Sequence, residues 1–241
     1  MEKKKLLVIT PTYNEIENIE NFLIEIIKTG MDILVIDDNS PDGTYDIVKK
    51  FQKNNQSIHL IHRDSKQGLG SAYREGFSWF LENDFTHCIE MDVDFSHRIT
   101  DLKNMVNKIN DFDLIIGSRY IKGGGSNGWD YKRKKLSLFA NKFAKLILNS
   151  GINDMTSGFR IFSKNALIKI DFKSLKTNGY GFQIETAFLA KKNNLAVKEV
   201  PIIFEERRLG ESKMSYGIVL EAIFLLFKLW FVNLINRSQN S

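Results

Sequence analysis

The chain has 241 residues, of which 43% are hydrophobic and 12% are aromatic. This composition supplies a sizeable core, fits one large domain and excludes a disordered protein. The net charge is only +5, with basic residues spread among acidic ones, so a nucleic-acid partner is not indicated. A single cysteine, Cys88, excludes an internal disulfide framework and is expected in the core of a protein from a reducing compartment.

Strand-like and helix-like patterns alternate through the first half of the chain. The opening residues, MEKKKLLVIT, hold too short an apolar run for a secretory leader, which predicts a chain on the cytosolic side. The patterns predict, in order, strand 5–9, helix 16–28, strand 32–36, helix 44–54, strand 58–61, helix 69–83, strand 86–91, helix 100–110 and strand 113–117. This alternation indicates a Rossmann-like α/β fold, with a mostly parallel central sheet flanked by helices.

Polar segments follow three of the predicted strands: TPTYNE, DDNSPDGT and DVDFSH. Ligands of parallel sheets bind outside the carboxyl ends of the strands, so we expect the three segments to converge on one edge. Asp37 and Asp38 lie where carboxylates of dinucleotide folds accept hydrogen bonds from ribose or base. Turn chemistry alone accounts for residues 42–44.

Asp92 and Asp94 are one residue apart at the end of an apolar strand. In an extended chain their side chains point the same way, and the two like charges then require compensation. Mg²⁺ or Mn²⁺ would supply it, because hard cations take carboxylate oxygens together with substrate phosphates. A solvated carboxylate pair at the start of a loop is the alternative interpretation.

The candidate phosphate-binding residues are cationic side chains from residue 119 onward. Arg119, Arg207 and Lys213 are the first candidates, since arginine forks match phosphate oxygens and lysine adds a mobile charge. For Arg208, a solvated surface position is preferred. The basic run 132–135 opens an amphipathic helix, which indicates either contact with anionic headgroups or a plain basic surface.

The last apolar segment, residues 218–235, is the candidate for contact with a membrane. It has 18 residues, just long enough to span a bilayer, but Glu221 and Lys228 disfavour insertion. We therefore predict a C-terminal amphipathic helix that lies in the membrane interface, with docking on a small membrane partner, burial in the core and spanning as alternatives. The predicted division is a catalytic domain, 1–214, and a membrane-associating segment, 215–241.

Nine short motifs together carry a family resemblance. They occur in order from residue 11 to 215 and read PTYNE, DDNSPDGT, GLGSAYREG, MDVDFSH, GSRY, DMTSGFR, GYGFQIE, EVPI and RRLGESKMS. The set resembles the catalytic subunits of dolichol-phosphate, or polyprenol-phosphate, mannose synthases, which are inverting family 2 glycosyltransferases of the GT-A fold. The family usually has alanine where this chain has Val93, and sometimes glutamine where it has Ser96.

The resemblance implies roles for individual residues. The metal and diphosphate would be held by Asp92, Asp94 and Ser96, with Asp92, Asp94 and Arg119 as the catalytic set. Substrate contacts are implied for Pro11, Tyr13, Glu15, Ile36, Asp37, Asp38, Met91, Val93, Arg119, Arg207 and Lys213. For Tyr13, simple packing beside a strand end is the alternative.

The resemblance also implies a reaction. Mannose would pass from GDP-mannose to dolichyl or polyprenyl phosphate with inversion, giving a lipid-linked mannose donor for protein glycosylation or glycolipid-anchor pathways. The expected place is the cytosolic face of a membrane, the endoplasmic reticulum in a eukaryote or the plasma membrane in a prokaryote, with small membrane-anchoring subunits as further partners. A lipid phosphate is already anionic, so it needs no general base. A UDP-glucose-dependent transferase and a non-catalytic membrane-recruited subunit are the alternatives.

Overall fold

The computed structural model describes residues 4–175, 177, 179–206 and 225–231. Its strands in chain order are β1 Leu6–Thr12, β2 Asp32–Asp37, β3 Ile58–His62, β4 His87–Glu90, β5 Leu114–Ser118, β6 Gly125–Ser126, β7 Arg160–Ser163, β8 Val197–Pro201 and β9 Ile203–Phe204. Within the described residues, seven of them form one sheet in the order β3-β2-β1-β4-β7-β5-β8, while β6 and β9 form a separate pair.

The helices cover this sheet. They are α1 Ile16–Ile27, α2 Thr44–Asn54, α3 Leu69–Glu82, α4 Ile99–Val106, α5 Tyr131–Leu148, α6 Lys164–Ile170 and α7 Gly179–Lys192, with a 3₁₀ turn at Phe172–Ser174. The sequence-predicted strands and helices of residues 5–117 are confirmed, with boundaries that differ by a few residues. The predicted GT-A architecture, a mostly parallel sheet flanked by helices, is confirmed with them.

Strand direction determines which loops share an edge. β1 pairs in parallel with β2 and β4, β2 pairs in parallel with β3, and β5 pairs in parallel with β8. β7 is antiparallel to both β4 and β5. The segments after β1, β2 and β4 therefore leave from one edge, as expected for a parallel sheet.

Two apolar clusters form the core, one on each face of the sheet. Side chains alternate along β1, so that Leu7 and Ile9 enter one cluster and Val8 the other. Cys88 is fully buried, which confirms its predicted place in the core. Helix α3 lies so close to β1 that a Cβ on Gly76 would come within 2.7 Å of the Ile9 side chain.

The C-terminal segment is described only in part. The predicted boundary at residue 214 lies outside the described residues, whereas 225–231 are helical. Leu225, Leu226 and Leu229 are buried in the main core cluster, and Phe227, Trp230 and Phe231 are exposed. Among the described residues, no helix combines the length and the apolarity that a membrane span requires.

Candidate active site

Asp37 organises the carboxyl ends of the first three strands. Its fully buried carboxylate accepts hydrogen bonds from the Thr12 hydroxyl at 2.9 Å and from the Ser40 hydroxyl at 2.6 Å. The Ser40 backbone N–H donates to the second oxygen at 2.9 Å, and the His62 Nδ1 lies 3.3 Å from that oxygen. One carboxylate thus connects the carboxyl ends of β1, β2 and β3.

Asp38 has its own set of partners. Its buried side chain forms an ion pair with Arg63, and both groups are shielded from water. The second carboxylate oxygen accepts the backbone N–H groups of Gln67 at 3.1 Å and Gly68 at 3.2 Å. Asp38 therefore fixes the loop that leads into α3, in addition to the nucleoside contact that the sequence predicts for it.

Tyr13, Glu15 and Pro11 lie at the same edge and are partly exposed. The Lys66 ammonium is 4.0 Å from the centroid of the Tyr13 ring, a cation–π contact. The Glu15 backbone N–H donates to the Thr44 hydroxyl at 3.0 Å, which ties the end of β1 to the start of α2. All three residues are therefore partly accessible along this edge.

Three other residues that were predicted to contact the nucleotide-sugar donor have side chains in the core. Ile36 and Met91 are fully buried, and Val93 is 3% exposed. Pro11 and Ile36 are paired in the β1–β2 register, so the backbone of Ile36 runs beside that of Pro11. Any contact from Ile36, Met91 or Val93 to a donor must come from the main chain.

The acidic segment, residues 92–97, follows β4 directly. Asp92 is partly exposed, and its backbone N–H donates to the His97 Nδ1 at 3.2 Å. Asp94 is 4% exposed and accepts the Ser96 backbone N–H at 3.0 Å. Phe95 has φ +60°, which is uncommon for a bulky residue and marks local strain of the kind found at functional sites.

The oxygen donors of the acidic segment fit a hard divalent cation. Asp92 and Asp94 supply carboxylates, and the buried Ser96 hydroxyl has no hydrogen-bond partner in the described structure. Mg²⁺ and Mn²⁺ prefer oxygen ligands and commonly complete their shells with substrate phosphates and water. The described residues hold no group of three or more His, Cys, Asp or Glu side chains arranged for a metal.

Arg119 lies in a buried ion pair with Asp154. Its Nε and one terminal nitrogen each lie 2.7 Å from an Asp154 oxygen, and its backbone N–H donates to the same carboxylate at 3.0 Å. The fork also donates to the Thr156 hydroxyl at 2.9 Å. Burial opposes the ionisation of Asp154, but the charge and hydrogen bonds of Arg119 outweigh it and lower the pKa of that carboxyl.

Aromatic rings surround this ion pair. The Arg119 guanidinium is 5.4 Å from the Trp129 ring and 5.7 Å from the Phe204 ring, and Arg133 lies 4.3 Å from the same Trp129 ring. The Tyr120 hydroxyl donates to the Ser137 hydroxyl of α5 at 2.6 Å. We call Arg119, Trp129, Arg133 and Asp154 the arginine cluster. Of the basic run 132–135, the structure brings Arg133 to this cluster.

The acidic segment and the arginine cluster meet at Phe204. The Phe204 ring is 5.7 Å from the His97 ring and 5.3 Å from the Trp129 ring. The Glu205 backbone N–H also donates to the Ser96 carbonyl at 3.0 Å. The predicted carboxylates and the predicted arginine therefore belong to one site, while Arg207 and Lys213 lie outside the described residues.

Several residues of the site were not predicted from the sequence. His97 accepts a hydrogen bond from the Asp92 backbone, Arg63 forms an ion pair with Asp38, and Asp154 forms an ion pair with Arg119. His97 lies inside the MDVDFSH motif and Asp154 inside DMTSGFR, but the partner of Asp154 is 35 positions away. Such a pairing requires the tertiary structure.

A mostly parallel sheet with a set of carboxylates at its carboxyl edge is the architecture of the GT-A class of nucleotide-sugar transferases. Residues 7–171 match the model of glycosyl transferase family 2, and the chain belongs to that family.

Two relatives of the chain are named as a mannosyltransferase and a phosphomannose synthase of polyprenols. It is 40% identical over 221 residues to the undecaprenyl-phosphate mannosyltransferase of Micrococcus luteus, an alignment that covers 91% of both chains. It is also 40% identical over 225 residues to the polyprenol monophosphomannose synthase of Mycolicibacterium smegmatis, covering 92% of this chain and 85% of the relative.

Solved structures show the same fold at low sequence identity. Glucosyl-3-phosphoglycerate synthase from Mycobacterium tuberculosis, solved with Mn²⁺, UDP-glucose and phosphoglyceric acid, matches with a TM-score of 0.70 and 15% identity over 94% of this chain and 80% of that one. A mannosyltransferase from Pyrobaculum calidifontis, solved with GDP-mannose and Mn²⁺, matches with a TM-score of 0.61 and 16% identity over 98% of this chain and 65% of that one.

Proposed function

We propose that this glycosyltransferase moves mannose from GDP-mannose to the phosphate of a polyprenol, with inversion at the anomeric carbon. The observation that carries the proposal is the meeting of an acidic segment and an arginine cluster at Phe204. A leaving diphosphate needs the acidic segment, and an incoming phosphate needs the arginine cluster. The 40% identity to two polyprenol-phosphate mannosyltransferases supports this choice of sugar and acceptor.

The donor half of the site holds the nucleotide sugar. Tyr13, Asp37 and Asp38 bind the nucleoside at the edge of the sheet, and Asp92 and Asp94 hold a divalent cation, with Ser96 beside them. When bound, Mg²⁺ or Mn²⁺ neutralises charge on the departing diphosphate. The carboxylates stay in place because neighbouring backbone and side-chain groups fix them before substrate arrives.

The acceptor half holds the lipid phosphate. Arg133 presents its guanidinium beside Trp129, and Arg119, paired with Asp154, lies beside the same ring. We also assign phosphate contacts to Arg207 and Lys213, which lie outside the described residues. A phosphate oxygen attacks the anomeric carbon with its own lone pair, the bond from that carbon to the diphosphate breaks, and GDP leaves with those electrons. No proton moves in this step, so the site needs positioned cations and no general base.

The outer face of α5 fits a membrane surface. Leu136, Phe139 and Leu146 are 60%, 68% and 78% exposed, and α5 carries basic residues but no acidic one. Phe143 contacts both Phe139 and Phe227, so the apolar surface continues onto 225–231. An apolar face flanked by lysines binds the interface of an anionic leaflet. We infer that the protein works on the cytosolic membrane face.

The proposal is tested by transfer of radiolabel into a lipid-soluble product. Purified protein is given polyprenyl phosphate in vesicles, with GDP-mannose or UDP-glucose as donor and with Mn²⁺, Mg²⁺ or a chelator. We expect labelling from GDP-mannose that the chelator abolishes. Labelling from UDP-glucose alone would overturn the sugar assignment, and a lack of labelling from either donor would favour a non-catalytic subunit.

A further inference from the structure

A buried polar cluster lies behind the acidic segment, on the sheet face covered by α3 and α7. It contains Tyr73 of α3, Glu90 of β4, Arg160 of β7 and Gln183 of α7, each at most 2% exposed. Glu90 and Arg160 are cross-strand partners in the β4–β7 register, so both side chains leave the same face of the sheet. The mechanism described above uses none of these four residues.

This cluster is unusual for a protein core. The Tyr73 hydroxyl, both carboxyl oxygens of Glu90 and both polar atoms of the Gln183 amide are buried without a hydrogen bond of normal geometry in the described structure. Burial raises the pKa of Glu90 to about 8, although the charge of Arg160 and the nearby Gln183 amide oppose the shift. Folded proteins satisfy nearly all buried polar atoms, and the exceptions call for an explanation such as a functional role.

Arg160 donates hydrogen bonds to two backbone carbonyls and one side-chain hydroxyl. Its Nε donates to the Ser157 carbonyl at 2.9 Å and one terminal nitrogen to the Met155 carbonyl at 3.0 Å. The other terminal nitrogen donates to the Thr186 hydroxyl of α7 at 2.6 Å. The guanidinium therefore fixes segment 154–157 against β7 and α7.

The same segment holds Arg119. Asp154 and Thr156 accept the hydrogen bonds of the Arg119 fork at 2.7 Å and 2.9 Å. At the other end of the cluster, Glu90 is two residues before Asp92 in the chain. Burial and then the charge of Asp92 raise the pKa of the Tyr73 hydroxyl. The buried cluster therefore connects the acidic segment to segment 154–157, which holds Arg119.

We propose that Arg160 is a positioning residue that sets the distance between the acidic segment and Arg119, with Glu90 as the carboxyl group beside it. Arg160 touches no substrate and acts through the carbonyls of Met155 and Ser157. The proposal rests on the proposed function, in which one half holds the leaving diphosphate and the other the incoming phosphate. Misplacement of reacting groups by about 1 Å can cost roughly 10²-fold in rate.

The test compares Arg160→Lys with Phe162→Leu. Lysine keeps a charge beside Glu90 but lacks the planar fork that reaches all three acceptors. Phe162 lies on the same strand and is the register partner of Cys88, so its truncation perturbs the same core away from the site. Both variants are assayed at a temperature where circular dichroism shows them folded. We expect Arg160→Lys to lose about 10- to 100-fold in kcat with little change in the donor KM, and Phe162→Leu to keep its kcat.

A second readout does not depend on turnover. Trp129 is 9% exposed and contacts Arg119, so its emission reports the position of the arginine cluster. In a Trp79→Phe, Trp230→Phe background, Trp129 is the remaining tryptophan of the three. We expect Arg160→Lys to shift the Trp129 emission to longer wavelength and to increase its quenching by acrylamide, and Phe162→Leu to do neither.

The outcomes separate the two proposals. Equal kcat and equal emission in both variants would show that Arg160 serves stability alone. A lower kcat with unchanged Trp129 emission would also overturn the inference, because the effect would not pass through the arginine cluster. A wild-type chain that transfers no sugar would refute the proposed function, while the emission comparison would still decide whether Arg160 positions Arg119.

Discussion

Two regions of the molecule place their functional residues by different means. Before β5, Asp37, Asp38 and Asp92 come together because parallel strands end at one edge of the sheet. After β5, Arg119 is held by Asp154, 35 positions along the chain, and the turn around Asp154 is held by Arg160. Topology positions the donor half, whereas a network of buried polar groups positions the acceptor half.

The largest effect is expected in the donor half. Asp92→Asn and Asp94→Asn each keep side-chain size but remove the charge of a proposed metal ligand, and a bound metal is worth several kcal/mol to the transition state. We expect kcat to fall by about 10³-fold or more, measured as label transfer, while the thermal melting curve stays close to wild type. Asp111→Asn, an exposed position far from the edge, is the control. Wild-type turnover in either acidic-segment variant would refute the metal assignment.

A smaller effect, on stability, is expected in the acceptor half. Asp154→Ala leaves Arg119 buried without its counter-ion, and breaking a buried pair in this way costs about 3–5 kcal/mol. Urea denaturation should show this loss in the free energy of unfolding. Glu206→Ala removes the exposed partner of Arg133 in the same cluster and should cost less than about 1 kcal/mol. Equal losses would mean that the buried network does not hold this half together.

The outer face of α5 should affect membrane binding without affecting the fold. Burial of one Leu or Phe side chain is worth about 1.5–3 kcal/mol, so Leu136→Ser with Phe139→Ser should weaken binding to anionic vesicles by at least roughly tenfold. Co-sedimentation measures the change. Ile168→Ser, which is 62% exposed on α6, serves as the matched control. Unchanged sedimentation of the double variant would exclude α5 from the membrane contact.

The smallest effect lies at the opposite edge of the sheet, at His87. Burial and the charge of Lys4 lower the pKa of His87 below its ordinary value of 6.5. The unfolded chain then binds a proton more readily than the folded one, so stability should fall as the pH drops below about 6.5. His87→Gln should flatten this part of the stability curve, measured by denaturant midpoints between pH 7 and pH 5. An unchanged slope would assign the acid sensitivity to other groups.

The sequence predicted the donor half better than the acceptor half, for a physical reason. Hydrophobic periodicity is local, so the strands and helices through residue 117 and the three polar strand ends were predicted correctly. The antiparallel strand β7 and the partners of Arg119 depend on contacts between distant segments. The same limit applies to the run 132–135, since only the tertiary structure shows Arg133 sharing Trp129 with Arg119.

The most direct test of the central claim compares two acceptors of equal chain length, a polyprenyl phosphate and the corresponding free polyprenol. With GDP-mannose and Mn²⁺, we expect labelled mannose to appear on the phosphate and not on the alcohol, because a hydroxyl would need a general base that the mechanism does not use. Transfer to the free alcohol at a comparable rate would contradict a site built from cations to receive a phosphate.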